Sequence, residues 1–409
     1  MAKSTFFTGQ PVFNQLLSYI SRSQVNSLVK KHNADYYCKK FKAFDHLVTM
    51  LFCCFHHCTS LRELITGLQA NAHRLHHLGM KHTPRRSTLA DANERRSPAF
   101  FEELYHKLFR YHFGVLPDSL PKGRISERIF IVDSTTVTLF SDVFKACGNA
   151  NANGKKKGGV KAHVLIRAKD YAPCFVHITE AAANDKTVMP KITLPKGSIL
   201  VMDKGYNSYA PMGAWTKQGV TWVTRLNKRA RWECVEERPV DEKMAAQGIC
   251  RDRYIILGNP EKAKKVPLQP ARLITYYDKE TGKEFEFLTN NREFSALTIA
   301  GLYKRRWQIE ILFKRIKQNF QLTSFLGDNQ NAIKIQLWCT LIADLLVKIV
   351  KDKADKKRKI KWSFANVAGL IRQHLGTYIN LVKFLENPEN AIIGYQIDLK
   401  SPQLLLFKT

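Results

Sequence analysis

Two aspartates and one glutamate carry the chemistry this chain could do. The runs "FIVD" and "LVMD" end in Asp133 and Asp203. Each closes a short, strand-like apolar stretch, and carboxylates at strand ends project into the crevice where α/β folds build their sites. Glu310 lies in "LYKRRWQIEILFKRIKQNF", Leu302 to Phe320, a stretch with helical periodicity. At about 100° per residue, Tyr303, Arg306, Glu310 and Lys317 fall within about 60° of one another. They flank the apolar stripe formed by Leu302, Ile309, Phe313, Ile316 and Phe320. Ion pairs between neighbouring turns, such as Arg306 with Glu310, would explain the stripe without any function. Gathered with Asp133 and Asp203, Glu310 would instead complete a cluster of three carboxylates. Such a cluster repels itself unless divalent cations neutralise it. Mg²⁺ takes carboxylates, waters and substrate phosphates. Two ions roughly 4 Å apart can activate an attacking oxygen and stabilise a leaving one at phosphorus. Tyr303, Arg306 and Lys317 would then hold phosphates beside the metal ligands Asp133, Asp203 and Glu310.

Composition agrees with a nucleic-acid substrate. The chain has 409 residues, with 65 Lys and Arg against 35 Asp and Glu, a net charge of +30. That excess exceeds what solubility requires and points to a polyanion. Hydrophobic residues at 44% exclude a disordered polymer. No stretch approaches the roughly 20 apolar residues of a membrane span, and no export signal opens the chain. Nine scattered cysteines then fit reduced thiols in a cytoplasmic protein. The run "CCFHHC" from Cys53 to Cys58 invites zinc, but no second pair of ligands follows, so buried thiols are expected.

The elements that must position the acids can be placed in order. Residues 1–125 read as a helical, DNA-binding domain, with a capping box at Ser60 and Glu63 and further caps at Ser87 and Ser97-Pro98. Arg85, Arg86, Arg95 and Arg96 bracket one helix and suit a module laid on duplex DNA or, equally, an ordinary helical bundle with a basic rim. Residues 126–225 form the first part of a mixed-sheet core: one strand to Asp133, a basic loop with Lys155, Lys156 and Lys157, two strands around Lys169-Asp170, then a strand to Asp203, a turn, a helix and a strand. Residues 226–290 read as a β-rich insertion, 291–350 as the second part of the core with a helix capped by Ser295, and 351–409 as a helical tail. Asp185 in "AANDKT" is expected to cap a turn. Lys204 and Tyr206 could touch DNA, or equally be a turn residue and a packed aromatic; His163 is expected to be structural, and Trp307 to pack its helix.

In spacing and context these residues resemble the bacterial insertion-sequence transposases with DDE chemistry. Tyr303, Arg306, Glu310 and Lys317 match the family's Y-x2-R-x3-E-x6-K signature. "IVDSTTV" and "VMDKGY" are similar to the segments carrying its two aspartates. The resemblance covers most of the chain, most securely 126–345. It implies an α/β, RNase H-like core interrupted by a β-rich insertion, behind an all-helical domain and before a helical tail. It implies double-stranded DNA partners, the element's terminal inverted repeats and target DNA, acted on by a homodimer that joins two ends. Cleavage at the ends would use Mg²⁺, with Mn²⁺ able to substitute, and the freed 3′-hydroxyl would attack the target. Excision would pass through a hairpin with a flipped-out base, whose stacking tryptophan is not assigned between Trp222 and Trp232. Two other readings keep the fold: a catalytically silent DNA-binding regulator, and a basic structure-selective nuclease.

Overall fold

Nine strands share one sheet in the computed structural model, which describes residues 9–114, 125–138, 159–169, 171–262, 268–320, 325–327 and 329–388. The described residues divide into two compact units. One holds those up to Phe113 and from Ile316 onward, the other those from Gly114 to Arg315.

The sheet belongs to the second unit. Its strands are β1 (Ile129–Thr138), β2 (Gly159–Arg167), β3 (Ala172–Glu180), β4 (Ile199–Met202), β5 (Thr221–Arg225), β6 (Trp232–Arg238), β7 (Ile249–Leu257), β8 (Gln269–Asp278) and β9 (Lys283–Thr289). Their order is β3-β2-β1-β4-β5-β9-β8-β7-β6. β1 pairs antiparallel with β2 and parallel with β4, and β4 pairs parallel with β5. That is the expected RNase H-like mixed core. Ile129 to Val132 and all of β4 are buried without alternation, as strands covered on both faces require. Phe130, Met202, Met212, Trp215, Trp222 and Leu288 share one apolar cluster. The buried Trp222 indole donates to the Met212 carbonyl at 3.1 Å and the Thr216 hydroxyl at 3.0 Å, which satisfies its only donor.

The β-rich segment extends the core's own sheet. β9 pairs with β5 through Val223↔Thr289, Thr224↔Leu288 and Arg225↔Phe287, so the sheet continues from core to insertion. β6 was not legible as a strand, because "WECVEER" is an exposed edge whose charges conceal its alternation.

The expected single helix from Leu302 to Phe320 is two helices, Ala296–Lys304 and Trp307–Asn319. Ser295 caps the first as expected, its hydroxyl accepting from the Thr298 N–H at 3.1 Å. At the break, Arg306 N–H donates to the Tyr303 carbonyl and Gln308 N–H to that of Arg305, both at 2.9 Å. These three-residue bonds tighten the turn and end the uniform 100° progression, so ideal helical phase does not carry from Tyr303 to Glu310. Trp307 opens the second helix 62% exposed, not packed as expected.

In the first unit, the helix Gln330–Asp355 is buried nearly all round from Ile335 to Val350. It packs on Ala43–His56, Arg86–Arg95 and Ala99–Phe113 of the same unit. The sequence places it with the second part of the core; its apolar surface on every side makes it the centre of the helical unit instead. Ser60 caps Leu61–Ala70 by accepting from Glu63 N–H at 3.2 Å, while Glu63 turns to Thr59. The next helix starts one residue before the expected Ser87 cap, with Arg85 at its N-cap. Arg96 is buried, donating to the carbonyls of Ala34 and Phe41, so it is a structural tie and not part of a basic rim. Cys53, Cys54 and Cys58 are buried free thiols. No helix among the described residues is long and apolar enough to cross a membrane.

Candidate active site

The in-register pairing of Val132 with Met202 brings Asp133 and Asp203 to neighbouring points at the carboxyl ends of β1 and β4. Asp133 Oδ1 accepts from the Ser134 N–H at 2.8 Å. Asp203 opens the short turn Lys204–Tyr206 and accepts from the Gly205 N–H at 3.4 Å. Glu310 comes from the first turns of the helix Trp307–Asn319.

Arg306 ties two of these acids, Asp133 and Glu310, together. Its Nη1 lies 2.9 Å from Asp133 Oδ2 and its Nη2 2.5 Å from Glu310 Oε1. The pairing with Glu310 is the bland one that helical spacing allows, but the same guanidinium also reaches Asp133, 173 residues away. Tyr303 donates its hydroxyl to Asp203 Oδ1 at 3.3 Å and lies with its ring 5.0 Å from that of Phe287. Burial raises the Tyr303 hydroxyl to about 12, which keeps it a donor at neutral pH. Lys317 is exposed on the same helix, seven residues beyond Glu310. Lys155, Lys156 and Lys157 lie outside the described residues.

Sequence reasoning missed Arg225. It ends β5, donates to Asp203 Oδ1 at 3.1 Å and stands over the Tyr303 ring at 5.6 Å. The rule that found the aspartates, a charged side chain at a strand end, would have found it in "VTRL". His163 is wholly buried, as expected, and meets Tyr206 Oη at 3.1 Å and Thr179 Oγ1 at 2.9 Å. Trp222 is also wholly buried and cannot stack on a base. Trp232 lies against the Arg253 guanidinium, 4.9 Å from its ring centre.

The two aspartates are held oppositely. Burial pushes Asp133 from 3.8 to about 6; Ser134 and Arg306 pull it down, while Asp203 and Glu310 push it up. Burial also pushes Asp203 up, but Arg225 and the Gly205 and Lys204 N–H groups hold it below its ordinary value. A carboxylate raised by folding costs stability where it is ionised, above about pH 6, and nothing below its unfolded value of 3.8. In EDTA, Asp133→Asn is therefore expected to melt higher than wild type at pH 7.5, with the gap closing between about pH 6 and pH 4. A lower or unchanged melting temperature at pH 7.5 would show that the carboxylate is not strained.

Among the described residues, no three acidic, histidine or cysteine side chains stand close enough to cage a metal. Asp133 and Glu310 share Arg306, and Asp203 holds Arg225 and Tyr303, so guanidinium groups and a phenol hydroxyl already occupy the carboxylates. The donor set nevertheless fits a divalent cation. It consists of hard oxygens whose charges oppose one another, as the effect of Asp203 and Glu310 on Asp133 shows.

Residues 124–346 match a family described as the transposase DDE domain, and residues 8–81 match a domain of unknown function, DUF4372. A putative transposase from Sinorhizobium fredii is 34% identical over 276 residues, covering 65% of this chain and 72% of the relative. A probable transposase for insertion sequence element IS5377 from Geobacillus stearothermophilus is 24% identical over 241 residues, 59% of this chain and 61% of the relative. Among solved structures, a piggyBac transposase synaptic complex with hairpin DNA aligns with TM-score 0.46 and 9% identity, covering 96% of this chain and 86% of that one.

Proposed function

Because the chain belongs to the DDE transposase family, we propose that it cleaves the ends of an insertion sequence and joins the freed 3′-hydroxyl to target DNA by two-metal phosphoryl transfer. The observation that carries this reading is the meeting of Asp133 and Asp203 at adjacent strand ends, with Glu310 tied to Asp133 through Arg306. These three carboxylates are the catalytic residues of the proposal. They would hold Mg²⁺, or Mn²⁺ in its place, which when bound supplies charge neutralisation at the scissile phosphate and activates the attacking oxygen.

The remaining residues bind and orient. A guanidinium fork fits phosphate as well as carboxylate, so Arg306 can exchange its acids for the terminal phosphate once DNA is seated. Tyr303 and Lys317 are assigned to grip neighbouring phosphates, and Arg225 to keep Asp203 ionised. The net charge of +30 supplies the field that draws in duplex DNA, both terminal repeats and target. Joining two ends at one target requires two active sites, hence a homodimer on DNA. The proposed location is the cytoplasm, on the nucleoid. A division into a helical, DNA-binding amino-terminal part and a catalytic core completes the reading.

The test is cleavage of duplexes carrying the inverted repeats that flank the gene, by purified protein with Mg²⁺, resolved on denaturing gels. Nicks at the repeat boundary, hairpins and joined products that vanish in EDTA are expected. Tight binding of the ends with no cutting at any end length would replace the transposase with a silent regulator. Cutting at DNA junctions without joining would replace it with a nuclease.

A further inference from the structure

Asp185 does not cap the turn it lies in. Asn184 does, its side chain accepting from the Lys186 N–H at 3.0 Å. The Asp185 carboxylate points elsewhere, and its two oxygens reach the two segments that carry the catalytic aspartates. Oδ1 accepts from Ser134 Oγ at 3.2 Å, and the N–H of that same serine holds Asp133 Oδ1. Oδ2 lies beside Gly205, where an added Cβ would stand 3.2 Å from it and 3.8 Å from Asp203 Oδ2. The Gly205 N–H is one of the two that hold Asp203.

A fourth anion here would worsen the repulsion among the site's acids, but Asp185 arrives already paired. Lys161 Nζ lies 3.2 Å from Oδ1 and is itself fixed by the Ala183 carbonyl at 2.8 Å. His163 Nδ1 stands 3.6 Å away, within the buried contact to Tyr206 three residues after Asp203. Thr136, Lys161, Asp185, Asp203, Lys204 and Asn227 line a cleft of about 500 Å³ opening beside the acids. A salt-bridged carboxylate that bonds the anchor of Asp133, lies beside that of Asp203 and borders this cleft has more to do than end a turn.

We propose that Asp185 is a positioning residue that sets the separation of Asp133 and Asp203, through Ser134 on one side and the Gly205 turn on the other. The inference rests on the transposase reading for what the aspartates do. Groups that orient metal ligands without touching the metal change affinity or activity by about 10- to 100-fold when removed. Because Asp185 and Ser134 act along one chain of contacts, their losses should not add.

The experiment compares the full-length wild type, Asp185→Asn, Ser134→Ala and the double variant. Mn²⁺ affinity is read from free Mn²⁺ by electron paramagnetic resonance. End-duplex affinity is read by anisotropy in EDTA, and single-turnover cutting is followed in Mg²⁺. Each single variant is expected to weaken Mn²⁺ binding and slow cutting by about 10- to 100-fold, with end binding and melting temperature unchanged. The double variant should be no worse than the worse single one. Wild-type Mn²⁺ affinity in Asp185→Asn, losses that multiply in the double variant, or losses that follow reduced end binding would overturn the positioning role. Should Asp185→Asn fail to fold, Ser134→Ala decides by the same readings. If wild type does not cut but Asp185→Asn still weakens Mn²⁺ binding, the transposase reading falls and the positioning role stands. If wild type cuts and both single variants match it in cutting and Mn²⁺ binding, only the positioning role falls.

Discussion

Replacing Asp203 with alanine is expected to slow Mg²⁺-dependent end cutting by at least about 10³-fold, without weakening the affinity for end duplex in EDTA. A metal acting on a phosphoryl oxygen contributes several kcal/mol to the transition state, and each 1.36 kcal/mol is about tenfold in rate. DNA binding should hold or tighten, because the change removes an anion from a surface that meets phosphates. A second consequence separates this residue from its neighbour. Asp203 is held below its ordinary value by Arg225 and two backbone N–H groups that outweigh its burial. Its carboxylate therefore contributes stability above the unfolded value of 3.8, and that contribution is lost as pH falls through the lowered folded value. Asp203→Ala should melt below wild type at pH 7, and the gap should close in acid, opposite in sign to Asp133→Asn at neutral pH. Cutting by Asp203→Ala within about tenfold of wild type would remove Asp203 from the catalytic set.

Asp252→Ala is expected to cost about 3–5 kcal/mol of stability, the usual penalty for stranding one half of a buried ion pair. Arg272 is 1% exposed, and its Nε and Nη2 reach the two Asp252 oxygens at 2.8 and 2.7 Å. Arg238 meets the same carboxylate at 3.2 Å. The pair joins β7 to β8, and Arg272 also donates to the Phe294 carbonyl just before the helix that carries Tyr303. Removing the acid leaves a desolvated guanidinium with no counter-ion. Removing both charges, as Asp252→Ala with Arg272→Met, should recover much of the loss, because an apolar replacement of a buried pair is often neutral. Denaturant midpoints of the three proteins measure this. A loss below about 1 kcal/mol in the single variant would mean the pair is not desolvated in solution.

Much of the core was legible in local pattern. "FIV" and "ILVM" before the two aspartates are unbroken apolar runs, and a strand buried on both faces must read that way wherever it pairs. The Ser295 and Ser60 caps were legible because a cap satisfies N–H groups only two or three residues away. β6 was hidden by its charges, and the break at Arg305–Arg306 was hidden because "LYKRRWQIEILF" contains neither proline nor glycine. The Asp185 role was hidden too, since "AND" spells a turn cap equally well and its neighbour Asn184 took that part.

The sequence by itself determined the charge that selects a polyanion, the strand ends that present Asp133 and Asp203, and the helical segment that presents Tyr303, Arg306, Glu310 and Lys317. These follow from composition, from unbroken apolar runs and from helical periodicity, which are properties of neighbours along the chain. Only the tertiary structure decided that Arg306 bridges Asp133 and Glu310, that Arg225 secures Asp203, and that Asp185 reaches both Ser134 and Gly205. Apart from the four-residue step between Arg306 and Glu310, those contacts join residues 20 to 173 positions apart. Charge attraction and hydrogen bonding depend on distance in space, and that distance exists only once β1, β4 and β5 have paired in register.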